Sequence, residues 1–198
     1  MELKAISGIL SAAFTLFGAI FYLRSIYKKE INPHILSWIG WAFITLIGAT
    51  AMFDSGSTWS VLFIIANSVS CISVALYSVY KRVGTWSTTQ YDYVFFGLGI
   101  LGVILWQTFN APLLAIILSV LADLFFAIPT LIKIYKNPKS ESAISWIPYC
   151  VAGIFGLLSL GAFSLTEVLY PFYIFTLNFM VLIMILFKDR KINNAKIS

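Results

Sequence analysis

Charge is absent from long stretches of this chain, and that absence constrains the fold more than any motif does. No Asp, Glu, Lys or Arg occurs from Ala5 to Leu23, Ile35 to Phe53, Ser55 to Tyr80, Tyr93 to Ala122, Ser142 to Thr166 or Val168 to Phe187. A hydrocarbon core about 30 Å thick takes roughly 20 residues of helix to cross, so each run is long enough to span. Of the 198 residues 60% are hydrophobic and 11% charged, with a mean hydropathy of +0.92, values that ordinary soluble domains do not reach. The chain reads as an all-α, polytopic membrane protein.

The stretch from Tyr93 to Ile132 is too long for one crossing. Asn110-Ala111-Pro112 breaks it near the middle, and a proline after such a turn suits the first turn of the next helix. Seven spans follow, at about 5–27, 35–54, 59–80, 92–109, 112–135, 143–164 and 168–187. The first is no cleavable signal, because Arg24, Tyr27 and Lys28 follow its apolar part without a small-residue cleavage site.

Lys and Arg set the orientation. Arg24, Lys28 and Lys29 follow span one; Lys81 and Arg82 follow span three; Lys133, Lys136 and Lys139 follow span five; Lys188, Arg190, Lys191 and Lys196 follow span seven. The alternate connections carry only Asp54 and Glu167, and Lys4 stands alone at the start. Every odd-to-even connection is therefore expected in the cytoplasm, with the N-terminus outside, the C-terminus inside and the cell membrane as location. The net charge of +5 is spent on these signals, so it does not mark a nucleic-acid binder. The expected partners are the lipid bilayer and a small-molecule solute, and nothing opposes a homo-oligomer.

At an offset of 108, Arg24-Ser25-Ile26-Tyr27-Lys28 falls on Ile132-Lys133-Ile134-Tyr135-Lys136, and Ser37-Trp38-Ile39 falls on Ser145-Trp146-Ile147 without a gap. Ser11 meets Ser119, and Gly48 meets Gly156. Spans one to three thus recur as five to seven. Three helices end on the opposite side from their start, so two units in one orientation need an extra crossing, which span four supplies. The expected organisation is a first repeat over 1–82, a linker helix over 83–111, a second repeat over 112–190 and a cytoplasmic tail over 191–198.

This parallel 3+1+3 plan resembles the SWEET and PQ-loop superfamily over nearly the whole chain. Ile128-Pro129-Thr130-Leu131-Ile132-Lys133, followed by Lys139-Ser140-Glu141-Ser142 and Ser145, looks like the PQ-loop signature, with Thr130 in place of Gln and Phe21-Tyr22 at the equivalent place in the first repeat. The resemblance implies a transporter that moves a small polar solute by alternating access, with Pro129 as a hinge. It also implies that an Asn pair, here Asn67 and Asn178, faces the central cavity and bonds substrate. Ala51 and Ala162 stand where the family's sugar carriers have Trp, which points away from hexoses. The same plan serves membrane receptors such as the KDEL receptor, assembly factors, and vitamin or nucleoside facilitators like the nicotinamide riboside transporters; fold alone does not choose among them.

The residues carry readings of their own. Pro129 cannot bond the carbonyl of Phe125 and so should kink span five, as a hinge or as a static bend. Asp123 is the single ionisable side chain deep in a span, and a charged Asp at the bilayer centre costs about 2.5–3.5 kcal/mol on insertion scales. It either anchors helices by hydrogen bonds or lines a cavity, touching solute or carrying a coupling proton. At helical spacing it aligns with Ser119 and Thr130, and its mate at offset 108, Thr15, aligns with Ser7 and Ser11. Asn67 and Asn178 either bond between helices or offer donors and acceptors to a solute. Trp41 is the tryptophan best placed to reach a cavity, whereas Trp38, Trp59, Trp86, Trp106 and Trp146 fit an interfacial belt. Ser37 and Ser145 look like N-caps. One histidine, His34, and the scattered Cys71 and Cys150 build neither a zinc site nor a disulfide framework. No catalytic constellation and no cofactor or metal site is expected, so the chain is not read as an enzyme. The orientation is checked by single cysteines: one at Asn110 should react with a membrane-impermeant maleimide on intact cells and one at Asn193 should not, and labelling at Asn193 from outside would overturn it.

Overall fold

The computed structural model describes residues 2–86 and 111–194, together with positions 90, 91, 94, 97, 98, 100, 101, 104 and 108, which are helical. Most of the expected fourth span, with Trp106 and Asn110, lies outside the described residues, as do 195–198. Six helices are complete: α1 (Glu2–Tyr27), α2 (Ile35–Asp54), α3 (Val61–Lys81), α4 (Pro112–Lys136), α5 (Ala143–Leu158) and α6 (Leu165–Asn194), with a 3₁₀ turn at Pro138–Ser140. Five are long and apolar enough to cross a membrane, and α5 is a shorter apolar helix.

The first helix is built inside out relative to one in a soluble bundle. On α1, Ile6, Ile9, Leu16, Phe17 and Ile20 are exposed while Ser7, Gly8, Ser11, Thr15 and Gly18 are buried. Large side chains can face lipid at no cost, whereas small and hydroxyl residues let helix backbones approach and bond each other. Ser11 Oγ donates to the Ala152 carbonyl of α5 at 2.7 Å, and Ser37 Oγ of α2 donates to the Phe126 carbonyl of α4, also at 2.7 Å.

These contacts close a ring. α3 lies between α1 and α2, α6 lies between α4 and α5, and the two triads meet along α1–α5 and α2–α4. The middle helix of each triad also touches the third helix of the other, α2 with α6 and α5 with α3. At those crossings stand Gly48, against the Tyr170 ring, and Gly156, against the Phe63 ring. A Cβ at either would run into the aromatic, so the glycines matched in the sequence mark matching close approaches.

Several boundaries and caps differ from expectation. Span six ends as a helix at Leu158 rather than 164, because Ser159 Oγ turns back to the Gly156 carbonyl and Glu167 Oε2 takes the amides of Gly161 and Ala162 at 2.6 and 3.0 Å. Span seven starts at Leu165, and its helix runs to Asn194, into the region read as a tail. Ser37 does not cap α2: His34 does, accepting from the Ser37 amide, which leaves the Ser37 hydroxyl for the seam with α4. Ser142, not Ser145, precedes α5. Pro129 sits inside α4, which continues through it. Trp41 Nε1 donates to the Asp123 carbonyl at 3.3 Å and Ser37 Oγ to that of Phe126, so α2 bonds the turn of α4 that precedes the proline, the kind of support by which a spanning helix tolerates one. A Gly48→Ala substitution should cost about 1–3 kcal/mol through overpacking against Tyr170, read as a lowered thermal midpoint of the purified protein; an unchanged midpoint would mean the crossing is loose.

Candidate functional site

Where the two triads face each other, five helices line a central cavity. Trp38, Trp41 and Thr45 come from α2, Asn67 and Cys71 from α3, Asp123 from α4, Trp146 and Tyr149 from α5, and Ile174, Leu177 and Asn178 from α6. It offers about 30 Å³ to the centre of a water-sized sphere, room for roughly two waters. The aromatic wall shows the 108-residue offset twice: Trp38 with Trp146, ring centroids 6.3 Å apart, and Trp41 with Tyr149.

Polar groups in this wall are unevenly satisfied. Asp123 is 2% exposed and accepts from Tyr173 at 2.8 Å and from Tyr170 at 3.5 Å. Tyr149 OH and Ser70 Oγ share a 2.7 Å bond, and Asn67 Oδ1 receives the Cys71 thiol at 3.6 Å. Asn178 is buried, and its Nδ2 has no hydrogen-bond partner among the described residues. A buried donor left unpaired costs about 1–3 kcal/mol, a price that a binding site recovers when a solute fills it.

One end of the cavity is closed by aromatics and a buried ion pair. Tyr22 packs at a tilt against Trp38, ring centroids 4.6 Å apart, and meets Trp146 edge-on at 6.3 Å. Beneath them Glu141, 5% exposed, accepts from Tyr22 OH at 2.9 Å, Trp146 Nε1 at 3.1 Å and Lys133 Nζ at 2.6 Å. Lys133 also donates to the Asn32 carbonyl at 2.6 Å, and the Asn32 amide donates to the Ser140 carbonyl at 3.1 Å. The cluster therefore ties Tyr22 and Asn32, from the first part of the chain, to Lys133, Ser140, Glu141 and Trp146 from the second. A second cavity of about 1020 Å³, lined in part by Pro129, Lys133 and Lys136, opens beside this end.

Of the residues singled out in the sequence, Asn67, Asn178, Asp123 and Trp41 meet in the central cavity. Ser119 and Thr15 are buried but are not part of its lining. Thr15 bonds its own helix at Ser11 O, 2.9 Å away, because this face of α1 packs on α5 rather than on open space. Trp38 and Trp146, read as belt residues, line the cavity instead; the gapless Ser-Trp-Ile match was the signal for both. Glu141 carried no such signal, since a loop carboxylate two residues before the start of span six looks solvated. Lys133, read as an orientation charge, is its ion-pair partner. Cys71 and Cys150 are buried free thiols, and among the described residues no three of His, Cys, Asp or Glu come together.

No family model matches the chain, and neither a curated relative nor a solved structure matches it. Asn178→Leu should leave thermal stability unchanged or raised, because it removes an unpaired buried donor in exchange for apolar bulk; a midpoint lowered by several degrees would show that Asn178 is a packing anchor.

Proposed function

We propose that this protein is a seven-helix, 3+1+3 membrane transporter of the SWEET and PQ-loop kind that moves a small polar solute through the central cavity by alternating access. The observation that carries the reading is a pair of buried, unpartnered donors, Asn178 Nδ2 and Trp38 Nε1, that line one cavity with Asp123 and the half-buried Asn67 between two triads of helices. A purely structural bundle gains nothing from such a group. The shared neighbour order, in which the third helix of each triad separates the first two, supports a two-unit body whose halves rock about the cavity. The Lys-rich ends of spans one, three, five and seven lie in the cytoplasm on this reading, with the N-terminus outside, in the cell membrane.

Alternating access needs a seal that breaks between the halves while each half stays whole. The Tyr22–Glu141 and Asn32–Lys133 bonds have that character, because the Lys133–Glu141 ion pair can remain within the second half when they part. Pro129 lies one turn from Lys133 on α4, where a change of bend would carry the lysine with it. Asp123 stands in the cavity wall, where a coupling proton would be exchanged if transport is proton-linked.

Two measurements test the reading. Purified protein screened against sugars, amino acids, nucleosides and small organic cations should be stabilised by at least one solute, which proteoliposomes should then take up; Asn67→Ala and Asn178→Ala should abolish both effects and leave the protein monodisperse. No stabilising solute, or variants that unfold without a separable binding defect, would count against transport. For the seal, Tyr22→Phe removes a hydrogen bond to a charged group worth about 1.5–3 kcal/mol, so spin labels at Tyr27 and Tyr135, exposed at the ends of α1 and α4, should shift to longer distances. An unchanged distance distribution would remove Tyr22 from the seal.

A further inference from the structure

We propose that the solute admitted to the central cavity is a small, weakly hydrated organic cation whose positive charge is taken up by Asp123. The inference rests on the transport reading for its biological use and on the cavity itself for its chemistry.

The argument starts from a missing partner. A carboxylate taken out of water must find a positive charge or a proton, since hydrogen bonds from neutral donors do not repay its lost hydration. The donors to the Asp123 carboxylate are neutral, chiefly the phenols of Tyr173 and Tyr170, and among the described residues the cavity is lined by no Lys, Arg or His. The same chain shows what a self-sufficient buried carboxylate looks like: Glu141 has Lys133 at 2.6 Å. Asp123, on the cavity wall, has no such cation among the described residues.

The rest of the wall suits a cation of a particular kind. Trp38, Trp41, Trp146 and Tyr149 line the cavity with Asp123; the Trp38 ring centroid lies 5.2 Å from that of Trp41 and 6.3 Å from that of Trp146, and Trp146 lies 5.8 Å from Tyr149, so the rings form one continuous aromatic wall. Aromatic rings attract cations through their electron-rich faces, and cages of them recognise alkylated ammonium groups, which shed water readily. An inorganic ion or a primary ammonium would instead need several oxygen ligands, and this wall is mostly ring and aliphatic carbon. Asn178 Nδ2 and Trp38 Nε1, both unpartnered among the described residues, add two donors, so the cation should also carry an acceptor such as a hydroxyl or carbonyl oxygen. The cavity as it stands has room for roughly two waters, so on this inference it must open, by parting of the two triads, to take such a guest.

The test compares cations with neutral molecules of the same shape. Full-length protein in detergent is titrated with choline, tetramethylammonium and N-methylpyridinium chlorides, and with 3,3-dimethylbutan-1-ol, the uncharged carbon isostere of choline, at constant ionic strength. Thermal midpoint and calorimetric binding are read. At least one organic cation is expected to raise the midpoint, and choline to bind about 100-fold tighter than its isostere, close to 3 kcal/mol at tenfold per 1.4 kcal/mol. Asp123→Asn should reduce that preference to within about threefold, and Asn178→Ala should weaken choline and isostere alike. The wild-type comparison stands even if Asp123→Asn fails to fold. The proposal is overturned if no organic cation shifts the midpoint, if the isostere binds as well as choline, or if sodium or potassium chloride alone reproduces the shift. A pH-dependent midpoint that is indifferent to every cation would assign Asp123 to a proton instead. A cation that binds but does not enter proteoliposomes would leave this inference standing and overturn transport.

Discussion

In hydrocarbon a helix gains nothing by hiding leucine, because lipid is as apolar as any core. What assembles these helices is therefore close backbone approach and the polar bonds that such approach permits. Two hydroxyl-to-carbonyl bonds, Ser11 to Ala152 and Ser37 to Phe126, hold the seams where the triads meet, and two glycines admit aromatic rings at the crossings between them. The cavity exists because the seams run around it. Take away the small residues and the rings of Tyr170 and Phe63 would have no place to sit, and the wall carrying Asp123 and Asn178 would shift with them.

Much of this was written in the sequence in a form that simple rules can read. Charge-free runs located the helices, and the 108-residue offset picked out Gly48 and Gly156 before their contacts were known. Asp123 stood out because a charge inside a span is costly, Asn67 and Asn178 through the family resemblance, and Trp41 because it lies a turn inside span two. The failures share a cause. Trp38 and Trp146 lie near span ends by counting, and an interfacial belt and a cavity rim predict the same position along a helix; only the direction of the side chain separates them. Glu141 was hidden for the opposite reason, since burial of a loop residue depends on what folds over it, here Tyr22 from 119 residues away. The end of α5 was set by a carboxylate in the next helix, Glu167, which periodicity within the span cannot reveal.

Two buried carboxylates thus divide the work by their surroundings. Glu141 is saturated: a lysine, a phenol and an indole leave it nothing to recruit, so it fixes geometry. Asp123 accepts only from neutral donors and faces a cavity, so it has capacity left over. The same residue chemistry is paired with a lysine in one place and left to neutral donors in the other, and the difference lies in whether the protein provides the counter-charge.

The shortness of α5 has a consequence for the bilayer itself. Sixteen residues rise only about 24 Å, several ångströms less than the hydrocarbon they would have to match. The connection to α6 makes up the difference with irregular backbone, which lipid tolerates only when its polar groups are occupied. Glu167 occupies two of its amides and Lys4 takes the Gly161 carbonyl at 2.7 Å, while Phe163, 92% exposed, turns an apolar ring outward. Along this flank lipid meets a shorter wall than along α1 or α6, so acyl chains must shorten or tilt there at a modest cost per ångström. The protein should accordingly favour thin bilayers, and its orientation among neighbours should be biased by that one low side.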